Sequence, residues 1–214
     1  MKKNLLFVII TLFIVSLATA QIPKGSLLLG GGVNFGNTKF ETGNNISKQN
    51  NFNISGSVGI AIKENTFLGG FLNYGHSEFK NNNTPGKSEN TSYGGGVFFR
   101  KYLLLGKKFY LFGEAGLGYS NSRSSQISGI DLQTTAKGWN VNLSVSPGIS
   151  YALTKKFHLE LGFNELLGIG YSKTKTENIS LNGRTNSINT SFGFRSNLGT
   201  NTPLNIGFRF LFSK

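Results

Sequence analysis

Trp139-Asn140-Val141-Asn142-Leu143-Ser144-Val145-Ser146-Pro147-Gly148-Ile149-Ser150-Tyr151-Ala152-Leu153 alternates without a slip between large non-polar and small or polar residues. Fifteen residues of period two are the mark of a strand, because successive side chains of extended backbone point to opposite faces. One face of this strand is greasy and the other is small and polar. A helix would spread the same residues around its whole circumference.

The same reading extends outward in both directions. Leu27, Leu29, Val33 and Phe35 alternate with Gly30, Gly32, Asn34 and Gly36. Phe52, Ile54, Val58 and Ile60 alternate with Asn53, Ser55, Ser57 and Gly59. Phe157, Leu159, Leu161 and Phe163 face away from His158, Glu160 and Gly162, and Phe208, Phe210 and Phe212 oppose Arg209 and Leu211. Eight strands are expected, at about 26–39, 51–63, 66–79, 91–104, 108–120, 137–153, 156–173 and 188–212. Each is long enough for the roughly 9–11 residues that cross a bilayer as a tilted strand.

Short connections at Lys63-Glu64-Asn65, Gly106-Lys107 and Thr154-Lys155 alternate with longer polar stretches at 40–50, 80–90, 121–136 and 174–187, read here as mobile loops. Pro203 and Gly199 predict a bulge or break in the last strand. A ninth strand there would put the termini on opposite sides, which single-chain barrels of this type avoid.

The first twenty residues stand apart. Lys2 and Lys3 precede the apolar run Leu5–Val15, and Ala18-Thr19-Ala20 supplies small residues at a cleavage site. This is the pattern of a secretory signal peptide. Residues 1–20 are therefore expected to be removed and residues 21–214 to form one barrel domain. The run is shorter than the roughly 20 residues of a membrane-spanning helix.

Gly is 29 of 214 residues, Phe is 19, charged residues are 14% and Cys is absent. Disulfides and thiolate metal sites are thereby excluded. Aromatics on one face and Asn, Ser, Thr and Gly on the other suit a wall between lipid and a wet, narrow lumen. A soluble eight-stranded barrel would place the apolar face inside. The leader, the many aromatics and the small polar face favour lipid outside.

Together these features resemble the small outer-membrane β-barrel proteins, the OmpA- and OmpX-like class, and in particular the single-domain outer membrane protein beta-barrel family. The resemblance rests on the Ala18-Thr19-Ala20 site, the hairpin rhythm over 26–212, and the ending Ile206-Gly207-Phe208-Arg209-Phe210-Leu211-Phe212, after which Ser213 and Lys214 follow. It implies an all-β, eight-stranded, antiparallel up-and-down transmembrane barrel in the cell outer membrane. It also implies lipid partners and recognition of the C-terminal strand by the barrel-assembly machinery. It implies no single activity, since this fold carries several.

Four charged residues carry the lumen parity: Arg100, Glu114, Glu160 and Arg209. An eight-stranded barrel is barely wide enough for its own side chains, so these charges are expected to pair and plug it. The competing reading makes them an ion path or gate. His76-Ser77-Glu78 invites comparison with barrel enzymes that act on lipid A near the outer rim. Adjacent strand residues face opposite ways, so His76 and Ser77 do not share a site, and a rim position beside Tyr74 is the expected role. His158 and Glu160 are too few for a metal site. Gly30-Gly31-Gly32 and Gly94-Gly95-Gly96 lie inside strands, not between a strand and a helix, and do not form a phosphate loop. No cofactor or metal is called for, and the sequence names no extracellular ligand.

The formal charge is +13, or +11 once Lys2 and Lys3 are removed. Lys63, Lys107, Lys108, Lys155 and Lys156 gather at the short turns, whereas the long connections read as close to neutral. That distribution points to a basic periplasmic rim against anionic headgroups rather than to nucleic acid. The functional expectation is a non-enzymatic barrel with a structural or surface-interaction role. A narrow porin-like channel and an outer-rim lipid A-modifying enzyme are the alternatives.

Overall fold

The computed structural model describes residues 21–42, 45–81, 86–128, 132–163, 165–181, 183–196 and 204–213. Residues 1–20, which hold the expected leader, and 197–203, where a break was expected, lie outside the described residues.

The described residues form ten strands: β1 (Leu27–Thr42), β2 (Asn45–Lys63), β3 (Thr66–Asn81), β4 (Gly86–Leu104), β5 (Phe109–Ser128), β6 (Leu132–Ala152), β7 (Phe157–Phe163), β8 (Leu167–Ser180), β9 (Gly183–Ser196) and β10 (Leu204–Phe212). They build a closed barrel of eight antiparallel staves. Each of β1 to β6 pairs with its successor, β6 pairs with β7, β7 with β10, and β10 returns to β1. The seventh stave is β7 continued by β8, and the eighth is β9 with β10.

The split of the seventh stave corrects the single strand expected over 156–173. Gly148 pairs with Gly162 and Val145 with Leu167. Between those pairs the chain of β6 runs through two residues and the facing chain through four. The excess is taken up by Glu165, whose φ of 52° is left-handed and whose N–H donates to Ser146 Oγ at 3.1 Å. Pro147 has no N–H to offer a ladder at this point.

A second correction concerns the long connections. Strand backbone fills most of 40–50, 80–90, 121–136 and 174–187. Ser125 pairs with Thr135 and Ile127 with Gln133, well inside the stretch 121–136 expected to be a loop. These parts are wet on both faces, so they show no apolar alternation, and their Asn, Ser and Thr side chains imitate loop composition. The expected mobile loops are instead projecting β-hairpins.

The two faces of the wall differ sharply. Outside, Val33, Phe35, Leu72 and Ile206 are each at least 68% exposed, and aliphatic neighbours cover the band between. Water does not tolerate so broad an apolar surface. The band is edged by one aromatic on each upper stave: Phe35, Phe52, Tyr74, Tyr93, Tyr119, Trp139, Tyr171 and Phe192. Trp139 lies 6.4 Å from Tyr119 and 5.5 Å from Tyr171, ring centre to ring centre. The lower edge holds the pairs Phe109–Tyr151 at 4.7 Å and Phe157–Phe210 at 4.9 Å. Phe109 and Tyr119 are ten positions apart. At about 3.3 Å per residue and a tilt of about 40° they span about 25 Å, the height of a bilayer's apolar band.

Inside, the short-turn end is packed. Leu28, Phe67, Tyr102, Tyr110 and Leu211 are buried, with Ile22 of the segment before β1 folded beneath them. Ile22 is fixed by mutual bonds with Asn65: its N–H donates to Asn65 Oδ1 at 2.9 Å and its C=O accepts the Asn65 N–H at 3.0 Å. Aromatic rings fill the level above by lying over glycines. A Cβ on Gly69 would stand 2.5 Å from Phe98 Cζ, and one on Gly148 would collide with Phe112 Cζ.

Barrel closure is the shortest pairing described between neighbouring staves. β1 meets β10 over five pairs, Leu27–Phe212 to Gly31–Phe208, whereas β5 and β6 share twenty. Among the described residues, β1 beyond Gly31 has no partner on the β9 side, and nearly every residue of β9 is exposed on both faces. The barrel is thus packed and closed at its short-turn end, while its β1 seam is unpaired toward the hairpins among the described residues.

Candidate functional site

All four expected lumen residues point inward, and the structure joins them. Arg100 and Glu114 are register partners on β4 and β5, and Arg100 Nε donates to Glu114 Oε2 at 2.7 Å. Arg100 Nη1 reaches across the lumen to Glu160 on β7, at 2.9 and 2.8 Å from its two oxygens. Arg209 Nε on β10 donates to Glu160 Oε2 at 3.2 Å. Two guanidinium and two carboxylate groups leave the cluster neutral. The Arg100 and Glu160 side chains are only 3% and 6% exposed.

Four further residues complete it. Tyr102 Oη donates to Glu160 Oε1 at 2.7 Å and accepts from Arg100 Nη1 at 3.0 Å. Tyr102 has the parity of Arg100, so the sequence held a signal for it. Ser57 Oγ accepts from Arg209 Nη1 at 2.5 Å. Ser57 lies on β2, so this bond passes over β1, and only the three-dimensional register reveals it. Space for the crossing comes from Gly30, the register partner of Arg209, where a Cβ would overlap Arg209 Nη1. The Arg100 guanidinium also lies 4.4 Å from the Phe112 ring centre, a cation–π contact.

Above the cluster lies a cavity of about 390 Å³, lined by Ser55, Ser57, Asn142, Ser144 and Phe71, with Arg100, Glu114, Glu160 and Arg209 as its floor. A second charge pair, Arg195 Nη2 to Glu165 Oε1 at 3.0 Å, flanks the bulge in the seventh stave. Sequence parity did not find Glu165, because the bulge interrupts the alternation there.

His76 lies on the outer face of β3, with Nδ1 3.1 Å from Thr91 Oγ1, while Ser77 faces inward. His158 is buried inside, 3.1 Å from Ser150 Oγ. Among the described residues, no three His, Cys, Asp or Glu side chains gather as a metal site.

Lys63, Lys107, Lys108, Lys155 and Lys156 sit at the short-turn end. Lys107, Lys108 and Lys155 line the mouth of a cavity of about 600 Å³ beneath Tyr110 and His158. The hairpin end is less neutral than the sequence reading had it, for Lys39, Lys137 and Lys173 also stand on the projecting strands.

An apolar, aromatic-edged exterior around a neutral polar lumen defines a membrane-spanning β-barrel. The chain belongs to the outer membrane protein beta-barrel domain family, which it matches over residues 5–195, and its strands are transmembrane strands of the outer membrane. No curated protein matches the chain. Among solved structures it is similar to the outer membrane protein OprG from Pseudomonas aeruginosa, at 10% identity over 90% of this chain and 98% of that one, with a TM-score of 0.47. The translocator domain of the autotransporter NalP from Neisseria meningitidis is similar at 12% identity, over 98% and 94%, with a TM-score of 0.41. A major outer membrane protein from Thermus thermophilus is similar at 13% identity, over 88% and 99%, with a TM-score of 0.43.

Proposed function

We propose that this protein is a non-enzymatic, non-conducting barrel that serves the outer membrane as a structural and surface-interaction element. The observation that carries the reading is the neutral cluster of Arg100, Glu114, Glu160 and Arg209, which spans the lumen directly above a buried apolar layer. Charges locked to one another are poor ion-binding sites, because an ion would have to break a pair whose loss costs about 3–5 kcal/mol. The hairpins beyond the aromatic edge are the part free to meet partners.

The mature protein in this reading begins after Ala20, and its β10 strand carries the signal for barrel assembly. The basic short-turn end, with Lys63, Lys107, Lys108, Lys155 and Lys156, lies against anionic headgroups of the inner leaflet. Replacing those five lysines by Gln lowers co-sedimentation of the folded protein with anionic vesicles, and unchanged binding refutes that role.

Planar-bilayer recording tests the main proposal. The folded protein gives no single-channel steps, and Glu160→Gln, which unbalances the cluster, is the variant in which steps are sought. Regular steps from the unmodified protein, altered in size by Glu160→Gln, would establish the channel reading instead. Conversion of lipid A by the protein, abolished in His76→Ala, would establish the enzymatic one.

A further inference from the structure

On the outer face, just above the aromatic edge, Arg123 of β5, Lys137 of β6 and Lys175 of β8 are direct register partners: Arg123 with Lys137, and Lys137 with Lys175. Adjacent strands lie about 4.8 Å apart, so three cations occupy about 10 Å of surface. Lys173, partner of Trp139, adds a fourth on the same face. All four are exposed, and like charges directly opposite each other destabilise a sheet.

The same barrel shows how such repulsion is relieved internally. Lys39, Lys48, Lys80 and Lys87 form an unbroken cross-strand row on β1 to β4. There, carboxylates are interleaved: Lys39 pairs with Glu41, Lys80 with Glu78 at 2.9 Å, and Lys87 with Glu78 at 3.1 Å and also with Glu89. Among the described residues, the row on β5, β6 and β8 has no ion pair of its own. The described carboxylates beside it in register are held elsewhere: Glu177 by Arg184, and Glu89, one diagonal step from Arg123 on β4, by Lys87.

Position supplies the missing partner. Lys137 stands two residues above Trp139, and Arg123 and Lys175 stand four above Tyr119 and Tyr171. Aromatic rings of this kind mark the boundary between acyl chains and headgroups. The cations therefore sit at headgroup height on the hairpin side, facing lipid rather than the lumen.

We propose that Arg123, Lys137, Lys173 and Lys175 form a binding site for a lipid carrying more than one phosphate on its headgroup. The phosphates lie between the cations, and the acyl chains run down over Tyr119, Trp139 and Tyr171. Three cations on three staves fit two phosphates on one headgroup, and a zwitterionic lipid would bring its own cation into the row.

The test uses the refolded protein in phosphatidylcholine nanodiscs containing small equal fractions of diphosphorylated lipid A or of phosphatidylglycerol. Lipid retained after transfer to detergent is measured by native mass spectrometry. The unmodified protein keeps lipid A in preference to phosphatidylglycerol. The variant Arg123→Gln/Lys137→Gln/Lys175→Gln keeps about a hundredfold less, the effect of three charges at a surface. Lys80→Gln/Lys87→Gln keeps as much as the unmodified protein. Thermal midpoints give a second readout: the triple variant is the more stable protein in zwitterionic detergent, where repulsion is unrelieved, and the less stable one with lipid A. Equal retention by the triple variant overturns the proposal. Preference for phosphatidylglycerol, or equal protection by inorganic phosphate, overturns the assignment to a polyphosphorylated lipid.

Discussion

Glu160→Gln is the sharpest test of what the lumen cluster does for the fold. The side-chain volume hardly changes, but the cluster passes from neutral to a net charge of +1. Glu160 receives Arg100 at 2.8 and 2.9 Å, Tyr102 at 2.7 Å and Arg209 at 3.2 Å. Loss of one partner from a buried pair costs about 3–5 kcal/mol. The lower end applies, because Arg100 keeps Glu114 at 2.7 Å and Arg209 keeps Ser57 at 2.5 Å. A loss of about 3 kcal/mol, or about a hundredfold in the folding constant, is expected. The assay is a urea titration in zwitterionic detergent, reading the folded fraction from the faster migration of unboiled protein. Arg209→Gln alone leaves a charge of −1 and is also destabilising. The double variant is neutral again, so its loss falls short of the sum of the single losses by about 1–2 kcal/mol. Two results refute the reasoning: a Glu160→Gln loss no larger than the roughly 0.5 kcal/mol of an ordinary surface substitution, or strict additivity in the double variant.

Two further outcomes follow from particular contacts. Gly30→Ala drives a methyl group into the Arg209 guanidinium and lowers stability by about 1–3 kcal/mol in the same titration, and most of that loss disappears on an Arg209→Gln background. At the hairpin end, hydrogen bonds from Lys80 and then Lys87 hold the Glu78 carboxyl below its usual value of 4.5. A carboxyl depressed on folding stabilises the folded state above the unfolded value, and that contribution is lost as pH falls through the folded one. An NMR titration of Glu78 accordingly finds its midpoint below 4.5, and Lys80→Gln/Lys87→Gln moves it upward; a midpoint indifferent to those lysines refutes the assignment.

Alternation made the staves legible wherever one face met lipid and the other the lumen. Trp139–Leu153 and Phe157–Phe163 could be read residue by residue for that reason. The register of Arg100 with Glu114 followed from parity and the tight turn between their strands. The reach of Arg100 to Glu160 did not, since it depends on how far the staves are sheared around the ring. Beyond Tyr93 or Tyr119 both faces are wet, the apolar period vanishes, and strand residues such as Ser88 and Gln126 look like loop. The basic row was hidden for a related reason: Arg123, Lys137 and Lys175 are far apart in sequence, and only strand register sets them side by side.

The five pairs between β1 and β10 make the closure of this barrel its natural fracture line. Every other junction between whole staves is a hairpin whose two halves are neighbours in sequence, whereas this one must bring together chain segments about 180 residues apart. Few backbone bonds guard it. What compensates is a bolt on the inside: Arg209 leaves β10, passes over Gly30 of β1, and fastens to Ser57 of β2 while gripping Glu160 of β7. One side chain thereby ties four consecutive staves.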